Sequence, residues 1–552
     1  MKPQTKSTTS ILPFNISTTT LVLLLSFLHG IALADDHVHH DTNQKFLQCL
    51  SLHSENTFIS KVIFTQSNYS YISILNNLKQ NLLYASPEYR RPQVIVTPFH
   101  VSQIQSVLKC ARKHGLRTIV RSGGHDHEGL SYVSEVPFVM IDLINFNQID
   151  ADAEEKTTWV GAGATLGELY YKVSEESNNL LAFPAGVCPT VGVGGHLSGG
   201  GFGYLMRKYG LAADQVIDAH LMDVNGRILD RKSMGEDLFW AIRGGGVASF
   251  GILVAWKVNL VDVPSTVTVF TVVRTLEQNA TQIHHKWQQI AYKLPEELVI
   301  SAGLKSVEGK RTMVAIFSAE YLGGVDRLLP LMQERFPELG VRKEDCQEMS
   351  WVESTVYHRA FNAKENLNLE LLLDRLSFAK YYMKAKSDYV REPIPVEALE
   401  GMYEVLYEEG GHNIYVISFP YGGRFNEISE TATAFPHRSN KFHLMYYAEW
   451  YDDEESQRVI ELDRKLYDYM APYVTKNPRA TYFNCKDLEI GRNNFGDNYT
   501  SVEEAGVWGN KYFKNNFKRL VDVKTKADPD NFFRNEQSIP SRVRQGSRKR
   551  NH

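Results

Sequence analysis

The spacing of apolar residues changes period along the chain, and each change marks an element. Residues 93–97 form a short β-branched run. Residues 100–114 then carry Ile104, Val107, Leu108 and Ala111 at helical spacing, ending at Gly115, a residue suited to closing a helix. A second strand at 116–120 completes a small α/β unit. Upstream, 45–83 reads as helices and turns. Downstream, 138–142 and 157–160 read as strands, and Thr165 with Glu168 forms a capping box that predicts a helix to about Ser177. The dipeptide Asn225-Gly226 lies between the runs 216–224 and 227–230, which predicts a hairpin. Residues 237–242 lead into a glycine cluster at Gly244, Gly245 and Gly246, with a strand at 251–260 beyond it.

Near Pro264 the pattern shifts. Strand-like runs at 266–274, 298–305, 312–321, 413–419 and 442–449 predict a broad antiparallel sheet. Helical spacing before 294 and at 328–336, 395–408 and 454–470 supplies its cover, and one amphipathic helix is predicted near 508–520. The fold class is therefore α+β. At 552 residues the chain exceeds a single core, so two or three structural units are expected.

One stretch departs from this ordinary patterning. Residues 182–204 read AFPAGVCPTVGVGGHLSGGGFGY, with eight glycines and Cys188 among them. Glycine at this density loses backbone entropy and buries no side chain, so it persists where main chain approaches something large. A bound cofactor fits, because successive N–H groups in such turns cradle a pyrophosphate. The strand at 116–120 runs into Arg121-Ser122-Gly123-Gly124-His125-Asp126, placing an imidazole at a sheet edge beside bare backbone. With the cluster at 244–246, three glycine-bearing turns predict one extended ligand wrapped by main chain. No GxxxxGK[ST] phosphate loop occurs, and Gly161-Ala162-Gly163 does not continue as a dinucleotide fingerprint.

Charge and cysteines narrow the picture. A net charge of −4 gives no reason to expect a nucleic-acid partner, and 28 Tyr with 27 Phe would suit a flat apolar ligand. Lys2 and Lys6, the apolar run 21–28 and Ala32-Leu33-Ala34 read as a secretory signal cut after Ala34. That run is too short for a membrane span of roughly 20 residues, and no later segment approaches one. The three histidines in 35–40 read as a mature terminus and not as a metal site. An oxidising address suits the five cysteines, of which Cys49 and Cys110 are the natural pair. Cys188 sits where a bridge would waste the freedom the glycines provide. Sequons at Asn68, Asn279 and Asn498 are expected to carry sugar.

The motifs RSGGHD at 121–126, GVCPTVGVGGHLSGGG at 186–201, DLFWAIRGGG at 237–246 and DPDNFFRNEQSIP at 528–540 resemble the berberine-bridge-enzyme-like flavoproteins of plants. These belong to the vanillyl-alcohol-oxidase, or p-cresol-methylhydroxylase (PCMH), flavin superfamily, and the likeness covers nearly the whole mature chain in order and spacing. Within the family the chain resembles the cannabinoid-synthase and mulberry-type branch. The resemblance implies a signal at 1–34, an N-terminal part of the FAD domain at 35–86 and a PCMH-type FAD-binding domain of two α+β subdomains at 87–263. A substrate domain at 264–474 with a helix-covered antiparallel sheet follows, then a segment at 475–540 returning to the FAD domain, and a basic tail at 541–552. It also implies bicovalent FAD, with His125 on the flavin 8α-methyl and Cys188 on C6. Around the cofactor it places Arg121, Ser122, Gly123, Gly124, Asp126, Gly192, Val193, Gly194, Gly195, His196, Gly199, Gly200 and Asn484. Val191, three residues after Cys188, takes the position that influences oxygen access, with the smaller side chain of oxidases.

Two positions depart from the family pattern. Relatives carry a tyrosine base where this chain has Cys485, in Tyr482-Phe483-Asn484-Cys485-Lys486-Asp487. The strand that in several relatives bears a glutamate reads Lys441-Phe442-His443-Leu444-Met445-Tyr446, so His443 or Leu444 takes the acidic position. The catalytic candidates are His443, Cys485 and Tyr482. Three activities stay open. The first is hydride abstraction from an aromatic, prenylated phenolic or alkaloid-like molecule, with oxygen as acceptor and hydrogen peroxide as product. The second is a redox-neutral intermolecular Diels–Alder reaction of the mulberry type, which needs no base. The third is oxidation of a carbohydrate, which would want a polar groove. A monomer in the extracellular space or vacuole is expected.

Overall fold

The structure is a computed structural model and describes residues 42–53, 59–359, 367–376, 380–494 and 500–542. The expected signal, the segment 35–40, Asn498 and the tail beyond Arg542 lie outside the described residues.

The first half contains two principal sheets around one shared core. A four-stranded sheet runs in the order Ile63–Thr65, Val94–Val96, Phe138–Asp142, Arg117–Arg121, the last three strands parallel. The helix Val101–Lys113 connects two of these and buries Ile104, Val107, Leu108 and Ala111, the stripe its spacing predicts. Cys49 and Cys110 form a disulfide between this helix and the helix at residues 42–53. The second sheet is antiparallel throughout and five-stranded, ordered Ile149–Asp152, Thr157–Gly161, Ile252–Asn259, Val216–Met222, Ile228–Leu229. Its hairpin turns at Asn225-Gly226, with Gly226 at φ 79°. The helix Leu166–Glu176 opens on the predicted capping box, Thr165 Oγ1 accepting from Glu168 N at 3.3 Å.

The second half is one seven-stranded antiparallel sheet. Its order is Cys346–Met349, Val267–Thr275, Met313–Tyr321, Leu298–Ser306, Ile414–Pro420, Phe442–Trp450, Tyr382–Val390. One face packs Phe317, Ile300, Val416, Leu444 and Tyr446 against the helices Ala280–Ile290, Val396–Leu406 and Ser456–Met470. The other face, with Val299, Ala385, Tyr389 and Phe419, turns toward the first half. Arg207, fully buried, joins the halves by donating to the carbonyls of Tyr292, Leu294, Pro295 and Leu298.

The predicted single helix near 508–520 is two helices, Val502–Phe513 and Asn516–Ala527. Lys514, at φ 45°, reverses the chain between them, and a Cβ on Gly509 would lie 2.2 Å from the Phe517 ring, so the helices pack at close range. The C-terminal segment then returns to the first half. Lys524, without exposure, donates to Ser249 O and Phe533 O at 2.6 Å each and pairs with Asp528 at 2.7 Å.

Candidate functional site

Two glycine-bearing loops meet back to back in the first half. A Cβ on Gly123 would lie 2.3 Å from the backbone nitrogen of Gly192, and one on Gly192 would lie 2.1 Å from Ser122 Oγ. A Cβ on Gly199 would come within 1.9 Å of Asn484 Oδ1. Most of these glycines are therefore required by the loops' contact with neighbouring protein. Gly195 differs, because a Cβ there would meet nothing within 4 Å. It faces a cavity of about 340 Å³, a volume ordinary for a small-molecule site.

That cavity is lined by all three predicted glycine turns. Ser122, Gly123, Gly124, His125 and Asp126 supply one wall, and Val191, Gly192, Gly194, Gly195 and His196 another. Gly246 to Ser249, with Phe483, Asn484 and Lys486, close it. Arg121 is not on the lining. Its guanidinium is spent on Asp142 at 2.6 Å and on the carbonyls of Ile74 and Leu75, so it braces the loop. Val193 lies in the core, and neither Gly199 nor Gly200 lines the cavity.

His125 and Cys188 converge on a residue that the motifs did not single out. His125 Nε2 is 2.9 Å from Thr190 Oγ1, and Cys188 Sγ is 3.6 Å from the same oxygen. The two reactive atoms are no farther apart than the sum of those distances. Burial pushes the His125 imidazole down to about 3, aided by His127 and His196, so its lone pair is free at neutral pH. Burial raises the Cys188 thiol, opposed by hydrogen bonds to Thr190. Nothing in the sequence distinguishes Thr190, which sits two positions after the cysteine.

The catalytic candidates lie together beyond the cavity. Tyr482 Oη accepts from Gly201 N and from Asn484 Nδ2, each at 2.9 Å, and burial raises its pKa. Cys485 is 2% exposed, and burial pushes its thiol up to about 12, which removes it as a base near neutral pH. The sheet settles the choice between His443 and Leu444. Leu444 packs in the core on the helix side, whereas His443 faces the rings of Phe202, Tyr389 and Tyr482. Burial lowers His443 to about 3, and its Nε2 has no hydrogen-bond partner.

Beside these buried groups is a half-buried aromatic face that sequence reasoning missed. Phe202, Tyr204, Met445 and Tyr447 are half-buried and pack on the aromatic cluster between the halves. Tyr447 Oη lies 2.8 Å from Tyr381 Oη. Period-two alternation around His443 would have placed Met445 and Tyr447 on its face.

Comparison with known proteins decides the family. Residues 92–231 match a model described as an FAD binding domain, and residues 481–540 match one described as berberine and berberine like. The chain is 50% identical over 524 residues to a tetrahydroberberine oxidase of Berberis wilsoniae, covering 94% of this chain and 97% of that protein. It belongs to the berberine bridge enzyme-like family. A cannabidiolic acid synthase-like protein of Cannabis sativa is 47% identical, with 94% and 96% covered. Among solved structures, the grass pollen allergen Phl p 4, which has glucose dehydrogenase activity, superposes with a TM-score of 0.85 at 43% identity, covering 90% of this chain and all of that one.

The chain is thus an FAD-linked oxidoreductase of α+β fold. Its residues fit the cofactor. Bare backbone and the uncharged imidazole of His125 line the cavity, and His125 and Cys188 both reach the hydroxyl of Thr190, although neither Cys188 nor Thr190 is on the lining.

Proposed function

We propose that this berberine bridge enzyme-like protein is an oxidase of plant specialised metabolism that acts on an aromatic small molecule held against the half-buried face of Phe202, Tyr204, Met445 and Tyr447. The aromatic cluster carries the reading: Phe202 packs on the Phe419 and His443 rings at 5.3 Å and on the Tyr482 ring at 5.2 Å, which leaves its half-buried side as a flat apolar face. Such walls bury a flat ring well. His125 and Cys188 are the two covalent anchors of the flavin. Bound FAD supplies hydride acceptance and passes the electrons to oxygen. Val191 lines the cavity with a small side chain and leaves oxygen room to enter.

The protein's own groups orient the substrate, exclude water and hold protons. His443 stays neutral and offers a hydrogen bond, and Tyr482 anchors the Gly201 turn against Asn484. Secretion is part of the proposal, supported by the disulfide and by exposed Asn68 and Asn279 at their sequons. Among the described residues no helix is long and apolar enough to cross a membrane.

A second reading, redox-neutral cycloaddition, is favoured by one observation: neither the Cys485 thiol nor the His443 imidazole is a competent base. Anaerobic mixing separates the two. Holoenzyme would be mixed with tetrahydroberberine, 4-hydroxybenzyl alcohol and glucose in turn. Bleaching of the flavin by an aromatic compound, reversed by oxygen with peroxide formation, is the expected outcome. Bleaching by glucose alone would sink the substrate class, and a 1:1 adduct formed from an added conjugated diene and enone without bleaching or oxygen uptake would establish cycloaddition. Acid precipitation tests the links. The His125→Ala, Cys188→Ala double variant releases yellow flavin, and wild type keeps it in the pellet.

A further inference from the structure

Thr190 is left without a role by the bicovalent reading of the cofactor, on which the following rests. Among the described residues its hydroxyl is the sole side-chain hydrogen-bond partner of either proposed anchor, 2.9 Å from His125 Nε2 and 3.6 Å from Cys188 Sγ. The residue is buried.

The local fold fixes where this hydroxyl sits. The helix Leu166–Glu176 starts against the turn, and its first two N–H groups, those of Leu166 and Gly167, donate to Val191 O and Pro189 O at 2.9 Å each. Such first-turn donors have no partner inside their own helix, so the turn satisfies them and is held in return. Thr190 is thereby pinned on both sides, and Thr165 bridges Gly192 just beyond it. A β-branched side chain on so fixed a backbone has little freedom at χ1.

A hydroxyl accepts on its lone pairs while donating its one proton. Thr190 is therefore placed to accept from the Cys188 thiol while donating to His125 Nε2. Burial keeps the imidazole neutral, and Nε2 retains a lone pair when the other ring nitrogen carries the flavin. Sulfur attacks carbon as its thiolate, which burial disfavours at Cys188; the Thr190 hydroxyl, the N–H groups of Thr190 and Val191 and the charge of Arg359 oppose that burial. Tyr170, Tyr381 and Tyr447 also feel the sulfur, but burial raises all three phenols, so they stay protonated and take nothing from it.

We propose that Thr190 is a positioning residue for attachment of the cofactor, its hydroxyl carrying the Cys188 thiol proton to His125 Nε2 as the sulfur bonds to the flavin. The S–H bond of Cys188 and one ring C–H bond of the flavin break, and one S–C bond forms. Two electrons and two protons leave in all, and dioxygen takes them as hydrogen peroxide. His125 holds the thiol proton until then. The link from His125 to the flavin methyl breaks no thiol bond and does not use this path, so the hydroxyl serves one anchor and not the other.

Trypsin separates the two anchors, because His125 lies on the peptide 122–156 and Cys188 on the peptide 173–207. A flavin bound twice joins these peptides, and mass spectrometry of the digested holoenzyme reads the joined fraction. In wild type the joined product is expected to hold most of the flavin. Thr190→Val keeps the shape and removes the hydroxyl. It is expected to lower the joined fraction by about five-fold or more, leaving flavin on 122–156 alone and the Cys188 thiol free, with circular dichroism at wild-type values. Thr190→Ser should restore joining. Joining by Thr190→Val at the wild-type level would overturn the assignment. So would a serine variant that fails as the valine variant does, because the methyl group and not the hydroxyl would then be what matters. Should Thr190→Val misfold, Thr190→Ala poses the same question against Thr190→Ser. Wild type with flavin on neither peptide would sink the bicovalent reading itself and this assignment with it, a result distinct from the others.

Discussion

The two halves of the site are built from different materials. On the cofactor side the work is done by main chain, with Gly123 and Gly192 pressed together and the lining supplied largely by glycines and small residues. On the proposed substrate side it is done by side chains, Met445 and Tyr447 from the seven-stranded sheet and Phe202 and Tyr204 from the end of the glycine-rich stretch. A site made of backbone constrains residue type at each position through sterics that ignore the ligand. A site made of side chains constrains only the sheet, and the residues on its face are free to differ between relatives. The contrast matches the relatives, which share one fold while being named for tetrahydroberberine oxidation in one case and glucose dehydrogenation in another.

The largest expected effects test the cofactor side. Gly123→Ala drives a methyl into the Gly192 backbone at 2.3 Å, where no flexible side chain is available to yield. Expression should give little folded protein and flavin content reduced more than ten-fold, read from the ratio of visible to ultraviolet absorbance; a yellow, stable variant would break the claim that the loops pack this tightly. Next in size is Lys524→Met. The lysine and Asp528 are both without exposure, and removing one partner of such a pair costs about 3–5 kcal/mol. Urea unfolding should show that loss, with flavin content nearly kept, since the pair ties the C-terminal segment down without lining the cavity.

The same contrast explains what was legible in the sequence. The capping box at Thr165 and the Asn225-Gly226 hairpin are local patterns and take the predicted form, whereas most glycines of the rich turns answer to close packing on neighbouring protein. The strand Tyr382–Val390 escaped because Lys384, Lys386 and Asp388 interrupt its apolar run. Those charges are buried against partners distant in sequence, Glu128, Asp487, Glu489 and Arg479, which no local window contains. Thr190 was invisible for the same reason, because its hydroxyl is marked out by His125, 65 positions away in the chain.

A smaller effect belongs to the substrate side and concerns acid. Burial holds His284 and His443 down to about 3, and His437 well below its ordinary value. In the unfolded chain these imidazoles take protons near pH 6.5, whereas the fold keeps them neutral, so stability is complete above that pH and is lost as pH falls below it. Asp463 acts in the opposite sense. Burial raises its carboxyl to about 8, so its contribution is present at low pH and lost as pH rises through that value. With His125, His127 and His196 also lowered by burial, six imidazoles outnumber the two carboxyls raised by it, Asp463 and Asp388, and net stability should fall on acidification from 6.5. His284, whose ring nitrogens both lack partners, is the residue to change. His284→Leu should reduce proton uptake on unfolding near pH 5 by about one, measured from the pH dependence of urea midpoints. An unchanged slope would show that this imidazole is already hydrated.

The smallest effect on the protein itself is the sharpest test of the comparison, because it separates two reasons for a glycine. Gly195 lies in the short helix Val193–Ser198, and a methyl there meets no protein atom within 4 Å. Gly195→Ala should therefore leave the melting temperature of flavin-free protein unchanged or raise it slightly, since alanine is the better helix former by up to about 1 kcal/mol. Any penalty must come from the cavity that Gly195 faces. If the cofactor lies against this backbone, flavin content falls or the visible spectrum shifts while the fold is untouched. If both stay at wild-type values, the bare main chain at Gly195 is not where the cofactor approaches, and steric contact with protein at Gly123 and Gly192 is what keeps both turns bare.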